Sequence, residues 1–262
     1  MILKGYKLAR RIIADLGSRV PPTQELAVIQ IGDNPVSDLY ISKKREMASE
    51  LGINFRLLRF DESITEAELI KQIDDLNDNP VVRGILIQMP LPQHIEKLKI
   101  AEEISLKKDV DGFGYIMRES GFKTFPPTVL AIDEILDFYH IKKENKKILI
   151  VGGGFLIGAP LEVFWKNKNF KPQILKANDE NYEERLKQSD IVVVATGGGR
   201  VFNAEDFKSS ATVIDASTVS DSGKIKGDVN LDNWPDDISL VPVPGGVGPV
   251  TVAMLFRNFF DL

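Results

Sequence analysis

Ile148-Leu149-Ile150-Val151-Gly152-Gly153-Gly154-Phe155-Leu156-Ile157-Gly158 decides the fold. The first four residues are apolar and mostly β-branched, which reads as a buried strand. A glycine turn follows, and the pattern Ile157–Lys166 then reads as a helix. Strand, glycine turn and helix in that order present a helix N-terminus and bare backbone to a pyrophosphate. Gly152, Gly154 and Gly158 give a variant of the G-x-G-x-x-G spacing rather than its strict form. A structural turn with close helix–strand packing is the other reading. The position at the opening of a βαβ unit argues for nucleotide, so Gly152, Gly153, Gly154, Phe155, Leu156 and Ile157 are candidate cofactor contacts.

Working outward, apolar strand patterns recur at Leu26–Ile31, Asn54–Arg59, Val82–Ile87, Lys147–Val151, Pro172–Leu175, Ile191–Ala195, Thr212–Ile214 and Ile238–Val241. Helical patterns at Val36–Leu51, Thr65–Asn77, Ile157–Lys166 and Glu183–Gln188 alternate with them. Uniformly apolar strands separated by helices predict an α/β fold with parallel sheets covered on both faces. A boundary is expected near Thr124–Pro127, bridged by a helix from about Val129 to Tyr139. This predicts a first domain of residues 1–125, completed by a returning C-terminal helix over 249–262. Residues 126–248 form a second, Rossmann-like domain, with a cleft between the two.

The second strand of the nucleotide domain ends at Lys176, where an acidic residue would favour a free ribose hydroxyl. Lys176 can pair with a 2′-phosphate, which points to NADP, with NAD as the alternative; an ordinary solvated lysine is the competing reading. Thr196-Gly197-Gly198-Gly199 follows a later strand and is expected to edge the same crevice.

In the first half, Tyr40 and Lys44 lie four apart on a predicted helix and share a face. A phenol beside an amine can relay a proton or stack on a ligand. Lys43-Lys44-Arg45 also reads as a solvated charge run. Gln88 closes an apolar strand, where parallel sheets place ligands, and is stiffened by Met89-Pro90-Leu91-Pro92. Asp109 and Asp111 follow, although Asp111-Gly112 alone reads as a turn. Near the C-terminus, six of the eight residues Pro242-Val243-Pro244-Gly245-Gly246-Val247-Gly248-Pro249 are proline or glycine. Such a loop is rigid and bare, suited to a flat ligand against the main chain.

Composition narrows the classes. The chain has 262 residues, 43% hydrophobic and 27% charged, which fits folded domains rather than a disordered segment. No cysteine is present, which removes thiolate nucleophiles and thiolate metal sites. Two histidines give no support to a histidine metal centre. A net charge of −5 argues against nucleic acid as partner, and no apolar run approaches membrane length. A cytoplasmic location is expected.

Taken together, Val36-Ser37-Asp38-Leu39-Tyr40 with Lys44, Gly84 to Pro92, Lys108-Asp109-Val110-Asp111-Gly112-Phe113, Gly227-Asp228-Val229 and Pro242 to Thr251 resemble the methylenetetrahydrofolate dehydrogenase/cyclohydrolase family. The resemblance spans essentially the whole chain. It implies a homodimer acting on tetrahydrofolate derivatives with NADP. It implies Lys44 as the catalytic lysine, Gln88 as its hydrogen-bond partner, Tyr40 stacked on the folate and Asp111 holding the pterin. Pro244, Gly245 and Gly246 would line the substrate site. Lys176, Thr196 and Gly197 remain cofactor candidates from their positions at strand ends, since the Lys176 segment departs from the family pattern. Where the family commonly reads Gly-Arg-Ser, this chain has Gly152-Gly153-Gly154. A short-chain dehydrogenase would also carry Tyr-x-x-x-Lys, but after its glycine loop, not before it. A non-catalytic dinucleotide-binding regulator is the remaining alternative, separable by turnover.

Overall fold

A computed structural model describes residues 1–114, 124–198, 200–221 and 224–262. Gly199, expected in the second glycine loop, lies outside them. The chain forms two compact units: Arg11–Pro127 with Val252–Leu262, and Met1–Arg10 with Thr128–Thr251.

The first unit is built on a three-stranded parallel sheet. Its strands are β1 (Glu25–Ile31), β2 (Asn54–Phe60) and β3 (Val82–Ile87), in the order β2-β1-β3. The chain order reverses direction between β1 and β3, so their C-terminal ends flank a switch point where ligands bind such sheets. Helix α1 (Tyr6–Gly17) enters this unit, and α2 (Pro35–Glu50) joins β1 to β2. Helices α3 (Glu66–Asp78) and α4 (Lys97–Glu103) complete the layers. Period-two alternation sends Ala27, Ile29, Ile31, Ile85 and Ile87 to one face, against Leu69, Ile73 and Leu76 of α3 and Ile100 of α4. A capping box between Thr65 and Glu68 starts α3, worth about 1 kcal/mol. At its other end Lys108 Nζ donates to the carbonyls of Leu76 (2.9 Å) and Asn79 (2.7 Å).

The second unit begins with α5 (Pro127–Phe138) and holds a five-stranded parallel sheet. In chain order its elements are β4 (Ile148–Val151), α6 (Gly158–Asn167), β5 (Gln173–Leu175), α7 (Tyr182–Gln188), β6 (Ile191–Val194) and β7 (Thr212–Asp215). A two-stranded antiparallel ribbon, β8 (Val219–Asp221) with β9 (Lys224–Lys226), precedes β10 (Ser239–Val241). The sheet order is β10-β7-β6-β4-β5, so β4 has β5 on one side and β6 on the other. This is a doubly wound sheet with its switch point between β4 and β6. Its strands are buried at every position of β4, β6 and β7, as a sheet covered on both faces requires.

The last helix, α8 (Val247–Asp261), ends in the first unit. There Arg83 donates from Nε to the Phe259 carbonyl (2.7 Å) and from Nη2 to that of Phe260 (3.1 Å), satisfying the open end of the helix. Gly84 permits the approach: a Cβ there would lie 2.5 Å from Val110 Cγ1 and 2.9 Å from the Phe259 ring. The helix starts at Val247, two residues before the expected 249, because Pro249 is tolerated in a first helical turn.

One boundary differs from the sequence expectation. The first ten residues were expected in the 1–125 domain, yet they belong to the second unit. Ile2 bridges Leu240 in parallel, and Leu3 N–H donates to the Leu240 carbonyl (2.7 Å). β10 is an edge strand with backbone groups to satisfy, and the N-terminal segment supplies the partner.

Candidate functional site

The first site lies at the switch point of the three-stranded sheet. Gln88 directly follows β3, and its backbone N–H donates to the Ile29 carbonyl of β1 (2.8 Å). That bond continues the strand pairing by one residue and fixes the direction of the side chain. Lys44 on α2 donates from Nζ to Gln88 Oε1 (2.9 Å), and Gln88 Nε2 donates to the Met89 carbonyl (2.9 Å). The amide is thereby oriented with its acceptor towards the amine. Ser37, one turn before Tyr40, is buried and donates to the same Met89 carbonyl (3.1 Å), tying α2 to the segment after β3. The Tyr40 ring is half-buried, with Lys43 Nζ 5.6 Å from its centroid.

Burial lowers the Lys44 pKa from its ordinary value, opposed by the negative charge of Asp111. Asp111 is pushed up to about 6, mainly by burial and further by Asp109, while Lys44 pulls it down. The two groups therefore sense one another, and each is closer to neutral than a solvated residue would be. Lys44 is thus not part of a solvated charge run, although Lys43 and Arg45 are exposed.

The loop carrying Asp111 is heavily constrained. Asp109 is fully buried and accepts backbone N–H groups from Phe113 (3.3 Å) and Gly114 (2.7 Å). Burial raises its pKa, and those N–H groups oppose the rise. Thr124 Oγ1 donates to the Asp109 carbonyl (2.6 Å). Asn258, on the returning helix, donates to the carbonyls of Val110 and Phe125 (both 2.9 Å). Gly112 has φ +67°, and a Cβ there would lie 2.5 Å from the Phe125 backbone. The Asp-Gly turn read from the sequence is present, and it carries Asp111. Sequence reasoning missed Asn258 and Thr124; a lone Asn in the apolar pattern of the last helix was the available signal.

The second site lies at the switch point of the five-stranded sheet. Gly152 (φ +98°) follows β4, and a Cβ on it would lie 2.5 Å from the Ala195 carbonyl oxygen and 3.4 Å from Thr196 Cα. The two glycine loops therefore touch. A Cβ on Gly158 would overlap the Gly152 carbonyl oxygen, so this glycine allows α6 to begin against the turn. In front of Gly154 and Gly197 an added Cβ would meet nothing within 4 Å. Bare backbone facing open space at the N-terminus of a ten-residue helix fits a pyrophosphate. Gly152, Gly153, Gly154, Phe155, Leu156 and Ile157 form this turn, and the half-buried Thr196 and the open Gly197 face it across the switch point. Lys176, exposed beyond β5, has its N–H bonded to Asp179 (2.9 Å), whose carboxylate also takes Arg185 (3.2 Å).

Polar residues that the sequence reading left without a role gather behind the second glycine loop. Ser217 Oγ accepts N–H groups from Thr196 (3.1 Å) and Gly197 (3.4 Å) and donates to Asp228 Oδ2 (2.6 Å). Thr196 Oγ1 donates to the same carboxylate oxygen. Asp215 is buried and pushed up to about 6 by that burial.

The proline–glycine loop packs on the start of the chain in the second unit. The Gly5 N–H donates to the Gly245 carbonyl (2.8 Å), and a Cβ on Gly245 would lie 2.8 Å from the Tyr6 ring. Gly245 and Gly246 are buried by this packing, whereas Pro244 and Gly248 are exposed. Two of its glycines thus serve close backbone packing.

Comparison with known proteins covers both units. Residues 3–111 match the family model of the tetrahydrofolate dehydrogenase/cyclohydrolase catalytic domain, and residues 126–262 that of its NAD(P)-binding domain. The bifunctional protein FolD of Bacillus subtilis is 39% identical over 271 residues, covering 98% of this chain and 95% of that one. The crystal structure of the bifunctional FolD enzyme of Campylobacter jejuni shares 34% identity with a TM-score of 0.90, covering 99% and 96%. The Trypanosoma brucei methylenetetrahydrofolate dehydrogenase-cyclohydrolase, solved with NADP cofactor and an inhibitor, shares 27% identity with a TM-score of 0.88, covering 100% and 96%. A lysine–glutamine pair beside a raised carboxyl, a doubly wound nucleotide sheet and near full-length similarity converge: the chain belongs to the tetrahydrofolate dehydrogenase/cyclohydrolase family.

Proposed function

We propose that the protein oxidises 5,10-methylene-tetrahydrofolate to 5,10-methenyl-tetrahydrofolate with NADP, then hydrolyses the product to 10-formyl-tetrahydrofolate. The observation that carries this reading is the Lys44–Gln88 hydrogen bond in the electrostatic reach of Asp111. The bound nicotinamide supplies the hydride acceptor for the methylene bridge. The protein's part in that step is alignment, which needs no acid or base.

Hydrolysis does need proton transfer. Water adds to the cationic methenyl carbon, a proton leaves the water, and one carbon–nitrogen bond breaks as the ring nitrogen is protonated. Lys44, with its lowered pKa, has a neutral fraction able to take the water proton. Gln88 holds the amine in place. In this reading Tyr40 stacks on the folate, Asp111 hydrogen-bonds the pterin, and Pro244, Gly245 and Gly246 contribute to the substrate site.

NADP is the proposed cofactor, as in the Trypanosoma brucei relative, with Lys176 near the adenosine end as its cationic partner. NAD is the alternative. A homodimer is proposed as well; β2, the edge of the three-stranded sheet with half-exposed Phe55, Leu57 and Leu58, is the surface that supports it. No described helix is long and apolar enough to cross a membrane, and we assign the reaction to the cytoplasm.

The test is a spectrophotometric assay of the purified protein with 5,10-methylene-tetrahydrofolate and each nucleotide. Reduced nicotinamide should appear with NADP, and added methenyl-tetrahydrofolate should decay faster than in buffer. Nucleotide binding without either turnover would establish the non-catalytic regulator instead.

A further inference from the structure

The second glycine loop is held from behind by a chain of buried side chains that the catalytic reading does not use. Ser217, on the segment after β7, is 2% exposed and sits at the centre of it. A hydroxyl has two acceptor sites and one proton. Both acceptor sites of Ser217 are taken by loop N–H groups, from Thr196 and Gly197. Its proton goes to Asp228 Oδ2 at 2.6 Å, in preference to the Val194 carbonyl at 3.5 Å. Thr196 Oγ1 directs its proton to the same oxygen. Asp228, 2% exposed, therefore receives two hydroxyl donors on one oxygen.

A second carboxylate fixes the backbone beneath. Asp215, at the end of β7, accepts the N–H groups of Ser217 (3.0 Å) and Val229 (2.9 Å). Gly227 lies so close that a Cβ there would overlap the Asp215 carboxylate. Asp215 thus locks the two backbone segments together, and Asp228 uses that frame to reach the β6 loop. The loop in turn abuts Gly152 of the first glycine turn, and Gly197 faces open space.

We propose that Asp228, acting through Ser217 and Thr196, is a positioning residue of the nucleotide site. It fixes the β6 loop as one wall of the cradle, so that the loop does not have to be ordered when the dinucleotide binds. The inference rests on the reading of this sheet as the NADP site. Pre-ordering a wall lowers the cost of binding, and its loss appears as weaker affinity rather than as altered chemistry in the other unit.

Two variants test this, Asp228→Asn and Ser217→Ala, with Ser217→Thr as the rescue that keeps the hydroxyl. The NADP dissociation constant is measured by calorimetry, beside nucleotide-free hydrolysis of methenyl-tetrahydrofolate and the melting temperature. Expected are a tenfold or greater rise in the dissociation constant for both Asp228→Asn and Ser217→Ala, hydrolysis within twofold of wild type, and near-normal binding by Ser217→Thr. Unchanged NADP affinity in folded Ser217→Ala overturns the proposal. So does a loss of hydrolysis in step with binding, which marks a general structural role. Should Asp228→Asn not fold, the Ser217 pair decides alone. Wild-type protein that binds neither NADP nor NAD refutes the nucleotide reading itself, a result distinct from the variants' failure.

Discussion

Lys44 Nζ and Gln88 Oε1, 44 positions apart in sequence, lie 2.9 Å apart. Each comes from a different element, α2 and the end of β3, and the amide's own donor is engaged by the Met89 carbonyl. The amine therefore has a fixed acceptor and also feels the charge of Asp111.

Lys44→Met should abolish the proposed proton transfer while leaving the fold intact. Methenyl-tetrahydrofolate hydrolysis is expected to fall by about 10²–10⁴-fold, the usual contribution of a positioned acid or base. Gln88→Met, which keeps length but removes the acceptor, should lower it less. The initial hydrolysis rate and circular dichroism of each variant check this. Full hydrolysis by folded Lys44→Met would remove Lys44 from the mechanism.

Asp111 gives a pH signature. Its folded pKa, about 6, lies above the ordinary 3.8, so the native state holds this proton more tightly than the unfolded chain. As pH rises from about 4 to about 6, Asp111 therefore costs stability, and the cost is complete above its folded value. Asp111→Asn cannot ionise. Its stability relative to wild type should rise across that window and then level off. Urea unfolding of both proteins in a pH series provides the measurement, and a parallel pair of curves would contradict it.

The second unit predicts the opposite sign. Asp133 on α5 accepts Lys143 Nζ (2.7 Å), Trp165 Nε1 (2.8 Å) and Lys168 Nζ (2.6 Å), with both Asp133 and Lys143 buried. Burial would raise the Asp133 pKa, but these three donors together hold it below 3.8. A depressed folded pKa contributes stability above the unfolded value, lost as pH falls through the folded one. Asp133→Ala leaves the Lys143 ammonium without its buried partner and should cost about 3–5 kcal/mol near neutral pH. Removing both charges with Asp133→Ala and Lys143→Met should recover part of that loss. Denaturant midpoints of the single and double variants check the coupling.

The strands were legible because they are short apolar runs between turns, and each expected one is present to within a residue at either end. Helices α1 and α4 and the β8–β9 ribbon were not. Helix α1 carries Lys7, Arg10 and Arg11 on its exposed face, which masks the apolar positions Leu8, Ala9, Ile12 and Leu16 that it buries. The β8–β9 ribbon is short and polar, without the apolar alternation that marks a strand. At the candidate site, Tyr40, Lys44, Gln88 and Asp111 were identifiable as residue types at meaningful spacings. Asn258, Ser217 and Asp215 were not, because their importance comes from partners distant in sequence or held by backbone geometry.

The sequence by itself determined the two parallel sheets, the glycine turn that opens the nucleotide unit, and the lysine and carboxyl available for chemistry. These follow from local patterns: periodicity, backbone freedom at glycine, and the acid–base character of side chains. Only the tertiary structure decided that burial moves Asp111 and Lys44 towards neutrality, that Asn258 ties down the Asp111 loop, and that the first residues join the second unit's sheet. Desolvation and long-range hydrogen bonding depend on what packs around a group, and the order of residues along a chain does not specify that directly.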